Sequence, residues 1–373
     1  MLGVSIITFV ILLSILILVH EFGHFFAAKK SGVWVEEFGI GYPPKIFSKK
    51  IGETEYSINL LPFGGFVRLH GENSLEEVKK KGRSFLHKSV GKRALIITAG
   101  VIMNLILGVV AFATVYTITG IPEPVATGEV KIVGVSPDSP AEEVGLVEGD
   151  LIVEVQGKEV GNTEEFIGIV NENVGKDLDL TYERNGELID VSVIARAQHP
   201  KDQGALGVVI SSSEIRYRFP PFWQRPFLGI YYGVKEAFFW ATTIASGLVV
   251  MVVGLFSGVF PQVAGPAGLF AITNEAVQVG IVPVINLLGL ISINLAIINI
   301  LPIPAVDGGR LLFLFIEKIF GKRVVPKIES AVHTIGFLVL VFLLIIVSVR
   351  EVKLIREYGL SGYVEYVTGG QLQ

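Results

Sequence analysis

The chain has 373 residues, 51% of them hydrophobic and 18% charged, with a formal net charge of −4. Soluble domains carry about a quarter charged residues, so this balance argues against an ordinary cytosolic enzyme, and the high aliphatic content excludes disorder. With no cysteine there is no disulfide, thiolate ligand or cysteine nucleophile, and the mild acidity gives nucleic acid no basic footprint.

A membrane helix needs roughly 20 mostly apolar residues. Five stretches lack Asp, Glu, Lys and Arg for that long: 1–20, 94–122, 237–274, 276–306 and 330–349. The first has no basic leader and no Ala-x-Ala site, and it runs straight into His20-Glu21-Phe22-Gly23-His24. It is expected as a retained span over 1–28. Residues 29–93 form a loop in which about 54–70 reads as a hairpin, two strands about Pro62-Phe63-Gly64-Gly65. That hairpin either dips into the membrane with an unpaired edge or packs on the loop around it. Glu76 to Arg83 reads as a solvated charge run, and a second span is expected over 94–120. Charge sets the orientation. Residues 25–93 hold 13 Lys and Arg against 7 Asp and Glu, whereas 123–236 hold 10 against 20. The positive-inside rule then places the first loop in the cytoplasm, with the N-terminus and the acidic region outside.

Residues 125–212 read as a small extracytoplasmic α/β domain and following strand. Strands are expected at 130–135, 151–155, 178–182 and 188–193, with a short helix after Ser136-Pro137-Asp138-Ser139-Pro140 and another near 163–171. The run Val135-Ser-Pro-Asp-Ser-Pro-Ala-Glu-Glu-Val-Gly-Leu-Val-Glu-Gly-Asp-Leu-Ile152 resembles the bacterial PDZ signature. PDZ domains take an extended peptide or chain end by strand addition; a gate and a rigid lid are the other readings of such a domain here. Residues 213–275 follow as an interfacial or amphipathic linker. A single crossing within 237–274 would put Asp307 outside, against its basic flank of Arg310, Lys318, Lys322, Arg323 and Lys327. An interfacial helix avoids this, and a hidden pair of crossings preserves the same parity. A third span over 276–310, a cytoplasmic loop over 311–329, a fourth span over 330–350 and a tail over 351–373 complete the chain. The expected fold is a polytopic α-helical membrane protein of about four transmembrane helices, with a membrane-associated β-hairpin and one inserted α/β PDZ domain.

His20 and His24 lie four residues apart, one helical turn, so both imidazoles project on one face and can share a zinc ion. Glu21 beside them suits a base that takes a proton from water. Ionisable residues at membrane depth are costly and mark function. Catalytic zinc takes three protein ligands and leaves one position open. Of the remaining histidines, His70 and His87 fall in the cytoplasmic loop, His199 in the acidic region and His333 at the start of the last span, positions that suit structural or solvated roles. Asp307 is the better third ligand. It ends Asn299-Ile-Leu-Pro-Ile-Pro-Ala-Val-Asp-Gly308, where Pro302 and Pro304 break the helix and the glycines after Asp307 permit a reversal. Without the histidines, Asp307 would read as the cap of a helix over 308–320.

These residues resemble the site-2 protease family of intramembrane zinc metalloproteases, by His-Glu-x-x-His in the first span and Asn-x-x-Pro-x-Pro-x-x-Asp-Gly in the third. Further likeness lies in Gly64-Gly65-Phe66-Val67, in Lys88-Ser-Val-Gly-Lys-Arg-Ala-Leu-Ile-Ile-Thr-Ala-Gly100 and in Gly265-Pro266, with Val101 standing where many relatives have proline. The PDZ signature between spans two and three points to the bacterial subgroup that cleaves anti-sigma factors and remnant signal peptides. The resemblance implies one zinc ion per chain on His20, His24 and Asp307, with Glu21 as the base. It also implies a substrate-binding set of Asn299, Asn104, Pro302, Pro304 and the hairpin residues Gly64, Gly65 and Phe66. Expected partners are transmembrane or signal-peptide-derived protein substrates, the lipid bilayer and a peptide or chain-end ligand of the PDZ domain, with the protein in the bacterial inner membrane. A zinc transporter using the same ligands and a non-catalytic PDZ scaffold are the rival functions.

Overall fold

In hydrocarbon a chain can satisfy its backbone only within helices or closed sheets, and the long uncharged runs here are helical. The computed structural model describes residues 2–72, 80–200, 203–257, 264–321 and 324–367. The chain divides into two compact units, one of 1–119 with 221–373 and one of 120–220. Residues 76–79 of the expected charge run, Lys322 and Arg323, and 368–373 of the expected tail lie outside the described residues.

The first unit begins with α1 (Leu2–Lys30), then strands β1 (Val35–Ile51) and β2 (Thr54–Leu69), then α2 (Val90–Thr119). Gly23 and Gly100 let α1 and α2 touch. A Cβ on Gly23 would collide with Ala99 O and sit 2.9 Å from Gly100 N, and one on Gly100 would sit 2.5 Å from His24 Nε2. Small residues of this kind allow the close backbone approach that membrane helices rely on.

The sheet corrects the expected hairpin. Residues 56–61 and 65–70 do not pair with each other across Pro62-Phe63-Gly64-Gly65. They flank one segment of β1 from its two sides: Phe38 pairs with both Tyr56 and Val67, and Ile40 with both Ile58 and Gly65. Lys49↔Tyr56 and Ile51↔Thr54 close the true hairpin at Gly52 and Glu53. Pro62 has no N–H to give a ladder, and Gly64 adopts φ +81°, so this stretch carries the chain across the middle segment. It does so against α1, where Ser14 Oγ donates to Pro62 O at 2.8 Å and Gly64 and Gly65 abut Ile17 and Leu18.

After residue 220 the unit continues with α5 (Arg225–Phe256), α6 (Pro266–Val279), α7 (Ile281–Ile300), α8 (Asp307–Phe320) and α9 (Pro326–Val367), the last broken by a non-helical Gly359. Among the described residues, α1, α2, α5, α7 and α9 are long and apolar enough to cross a membrane, five helices where about four were expected. The expected 213–275 linker is not one element: its start belongs to a strand of the other unit, and α5 runs as a continuous 32-residue helix through Lys235 and Glu236. Glu236 is satisfied within the membrane unit, accepting from Tyr116 Oη at 2.8 Å and Trp240 Nε1 at 2.9 Å, so it does not end the helix. Gly229 and Gly233 of α5 meet the backbone of α2 at Ala113. The expected third span over 276–310 is likewise interrupted, at Gly280 (φ +141°) and again at Leu301. The helix α6 runs antiparallel to α1, with Ser5 Oγ donating to Asn274 Oδ1 at 2.8 Å and Phe270 meeting Phe9 edge-on.

The second unit holds a sheet in the order β7-β6-β4-β3-β8, with β5 beside β4. Its strands are β3 (Ile121–Val135), β4 (Leu151–Val155), β5 (Lys158–Glu159), β6 (Asp177–Arg184), β7 (Glu187–Ile194) and β8 (Val208–Arg218). Two short helices, α3 (Pro140–Glu143) and α4 (Thr163–Glu172), start at polar caps: Ser139 and Asn162 accept from the amides of Glu142 and Glu165. The core gathers Val130, Ile132, Val155, Phe166, Leu178, Leu180 and Leu206. Asp150 is buried and accepts from Arg184 at 2.7 Å and from the Val147 amide at 2.9 Å. A long ribbon, Ile121↔Arg218 through Ala126↔Ser213, extends the sheet beyond the expected strands.

Candidate metal centre

The one cluster among the described residues able to hold a metal ion is built from the turn His20–His24 and from the residue that follows the broken end of α7. Leu301 is the C-cap of α7, and Asp307 opens α8 six residues later. The cap position of α8 is Val306, with no side-chain bond, so the Asp307 carboxylate is not spent on its own helix. It faces the two imidazoles instead.

The geometry is a small triangle. His20 Nε2 and Asp307 Oδ2 are 3.0 Å apart, His20 Nε2 and His24 Nε2 3.1 Å, and His24 Nε2 and Asp307 Oδ2 3.2 Å. Ligand atoms placed tetrahedrally ~2.0–2.1 Å from zinc lie about 3.3 Å apart, so the triangle is the size of one zinc face. The donor chemistry agrees. His24 Nδ1 donates to Ile96 O at 2.8 Å, which fixes the proton there and turns the Nε2 lone pair inward.

Asn104 plays the matching part for His20. Its side chain is fully enclosed, with one amide atom, Nδ2, 3.4 Å from His20 Nδ1 and the other, Oδ1, without a partner among the described residues. An amide rotated by half a turn presents Oδ1 as the acceptor for a His20 Nδ1–H, freeing Nε2 for a metal. Ser292 Oγ holds the Asn104 backbone carbonyl at 2.8 Å. Asn104 therefore stands behind the His20 ring.

A cavity of about 470 Å³ opens beside the triangle, lined by Glu21, His24 and Asp307 together with Gly65, Phe66 and His333. Glu21 thus shares a space with two of the three candidate ligands. Gly65, Phe66, Val67 and Leu69 supply the wall on the sheet side, and among the described residues that segment pairs only with β1. Glu72, just past β2, forms an ion pair with Arg310 of α8, tying the sheet to the helix that carries Asp307. Gly64 turns toward Ile17 rather than into the cavity. Asn299 sits half-buried in the last turn of α7 and Pro302 is exposed; neither lines the cavity. Pro304 packs against Gly336 of α9.

His70 and His87 are engaged elsewhere, with Glu36 at 2.7 Å and Ser84 at 3.1 Å, and His199 is exposed beside Pro200. His333 accepts the Ala305 N–H at 3.1 Å, as suits a structural role, and is also among the residues that line the cavity. Its position 28 residues beyond Ala305 leaves no local motif by which to find it.

Comparison with known proteins gives concordant results. Residues 8–343 match the family described as Peptidase family M50. The zinc metalloprotease RasP of Oceanobacillus iheyensis is 30% identical, over 94% of this chain and 99% of the relative. The regulator of sigma-W protease RasP of Bacillus subtilis is 29% identical, over 94% and 98%. Among solved structures, the PDZ domain of an SdrC-like protein from Listeria monocytogenes covers 23% of this chain and 90% of its own, at 26% identity and a TM-score of 0.21.

Proposed function

This chain belongs to Peptidase family M50 and is an intramembrane zinc metalloprotease, and from that premise we propose how its residues divide the work. His20, His24 and Asp307 hold one zinc ion per chain, and Glu21 is the general base. The observation that carries this is the 3.0–3.2 Å triangle of ligand atoms beside a cavity that Glu21 also lines.

Zinc held there supplies Lewis-acid polarisation of the scissile carbonyl and a more acidic water. Glu21 takes the proton as the water oxygen bonds to the carbonyl carbon and the C=O electron pair moves onto oxygen. It then returns that proton to the amide nitrogen as the C–N bond breaks. His24 Nδ1 on Ile96 O and the Asn104 amide on His20 keep both rings aimed at the ion.

The substrates are transmembrane segments of single-pass membrane proteins, of the anti-sigma-factor or remnant-signal-peptide type. The name of the Bacillus subtilis relative, a regulator of sigma-W protease, favours the first. A helical substrate hides its carbonyls in its own hydrogen bonds and must be unwound before cleavage. The free side of Gly65–Leu69 offers replacement bonds by strand addition. Contacts of the Pro62–Gly65 stretch with Ser14, Ile17 and Leu18 support its lying at membrane depth, one to two turns from His20.

In the bacterial inner membrane, the N-terminus and residues 120–220 face outward. The residues 120–220 act as a PDZ-type module for an extended peptide or chain end. Helix α5 descends beside α2 and α6 returns beside α1, a paired excursion that keeps Asp307 on the cytoplasmic side.

Glu21→Gln tests the assignment in proteoliposomes with a single-pass membrane protein as substrate. Cleavage is expected to fall by about 10²–10⁴-fold with bound zinc unchanged by mass spectrometry. Turnover near wild type would remove Glu21 from its role.

A further inference from the structure

His333 is the one cavity-lining histidine outside the metal triangle, and both of its ring nitrogens are informative. Nδ1 accepts the backbone N–H of Ala305 at 3.1 Å. A neutral imidazole that accepts at one nitrogen carries its proton on the other, so Nε2 is a donor. That donor is buried and finds no partner among the described residues.

An unmade bond of this kind is costly to keep, because a buried donor without an acceptor forfeits its hydration. Its cost is offset if an acceptor arrives with the substrate. The ring is held for such a task. Ala305 adopts φ +84°, a left-handed conformation that a residue with a Cβ rarely takes, two residues before Asp307. The bond from Ala305 N–H to His333 ties the ring to that strained turn, and Gly336 one helical turn on lets α9 lie directly on Pro304. The donor is thereby fixed relative to Asp307 through the same loop.

We infer that His333 Nε2–H donates a hydrogen bond to the scissile carbonyl oxygen and to the oxyanion that develops on it, making His333 a catalytic residue beside Glu21. This rests on the proteolytic reading given above. No proton is transferred: the bond strengthens as negative charge accumulates on oxygen, which is how a preorganised donor lowers a barrier selectively.

The test compares wild type, His333→Gln and His333→Leu in the full chain, zinc-loaded. The probe is a fluorogenic peptide with an apolar transmembrane segment interrupted by Asn and Pro. Gln keeps an acceptor for Ala305 and a donor; Leu keeps neither. Loss of one oxyanion donor costs about 10²–10³-fold in kcat, and that is the expectation for His333→Leu, with KM and zinc content within about twofold of wild type and at least tenfold recovery in His333→Gln. Affinity for a phosphinic peptide, a tetrahedral mimic of the oxyanion, should fall in parallel in His333→Leu, while affinity for the uncleaved peptide in the Glu21→Gln background stays unchanged. His333→Leu with wild-type kcat overturns the inference and leaves the protease assignment standing. Zinc lost in step with activity also overturns it, reducing His333 to a clamp on the Asp307 loop. A wild type that binds zinc yet cleaves no better than Glu21→Gln overturns both readings together.

Discussion

The two units both enclose apolar clusters but differ in the polar residues buried with them. In 120–220 the interior is aliphatic and aromatic, as for any domain folded in water, where burying apolar surface is the main driving force. In the other unit large apolar side chains face outward along α5 and α9, while Ser5, Asn104, Ser292 and Glu351 are enclosed. Lipid gives helices no hydrophobic reason to associate, so close approach and interhelical hydrogen bonds must hold them. Glu351 illustrates the second kind of contact. From α9 it accepts from the amides of Gly265 and Ala267 and, at 2.6 Å, from Tyr363 Oη, closing the start of α6 with a carboxylate. A buried polar residue is thus the exception in 120–220, and in the other unit it is one of the fastenings, beside apolar packing.

The contrast is broken most directly by making the same truncation on both sides. Phe166 is 3% exposed in the core of 120–220, and Phe342 is 63% exposed on α9. Phe166→Ala should cost about 3–5 kcal/mol, read by hydrogen exchange of β4 and β6 in the whole protein. Phe342→Ala in a bilayer should fall below about 1 kcal/mol, since it exchanges lipid contacts for lipid contacts. Equal losses would erase the distinction. A smaller effect is expected from Asn104→Leu, which keeps the bulk but not the acceptor behind His20. Zinc affinity, measured by chelator competition, should drop about 10–100-fold, and an unchanged affinity would make Asn104 packing alone.

The smallest effect concerns acid. Burial pushes the Asp150 carboxyl up, but the bonds from Arg184 and the Val147 amide outweigh it and hold the group below its ordinary 3.8. A depressed folded-state pKa stabilises fully above the unfolded value and loses that contribution as pH falls through the lower folded value. Between pH 5 and 2, wild type should therefore lose stability in 120–220 more steeply than Asp150→Asn. Parallel profiles would exclude Asp150 as a contributor.

Much of the candidate site was legible because it rests on short spacing: His20, Glu21 and His24 share one turn, and Asp307 follows a helix-breaking Pro-x-Pro. The β1–β2 sheet was read only in part, since Gly39, Gly41, Pro43 and Pro44 interrupt any alternating pattern in the strand that receives both halves of β2. The ribbon of β3 and β8 was hidden similarly by Pro122 and Pro124. Helix α5 escaped for another reason. Lys235 and Glu236 look like the end of a polar segment until Tyr116 and Trp240 are seen to satisfy the carboxylate. His333 depended on a strained turn at Ala305 that no spacing announces.

The separation of the candidate ligands along the chain has a consequence for biosynthesis. His20 and Asp307 are 287 residues apart, and Ala305 waits a further 28 for His333. Ribosomes add about 5–20 residues per second, so the histidine pair spends on the order of 15–60 s in the membrane before its carboxylate has been made. Throughout that interval the nascent chain holds only two of the three candidate ligands. With the ligands assigned as proposed, loading of the metal is a closing event of assembly, and the helices must find one another without it.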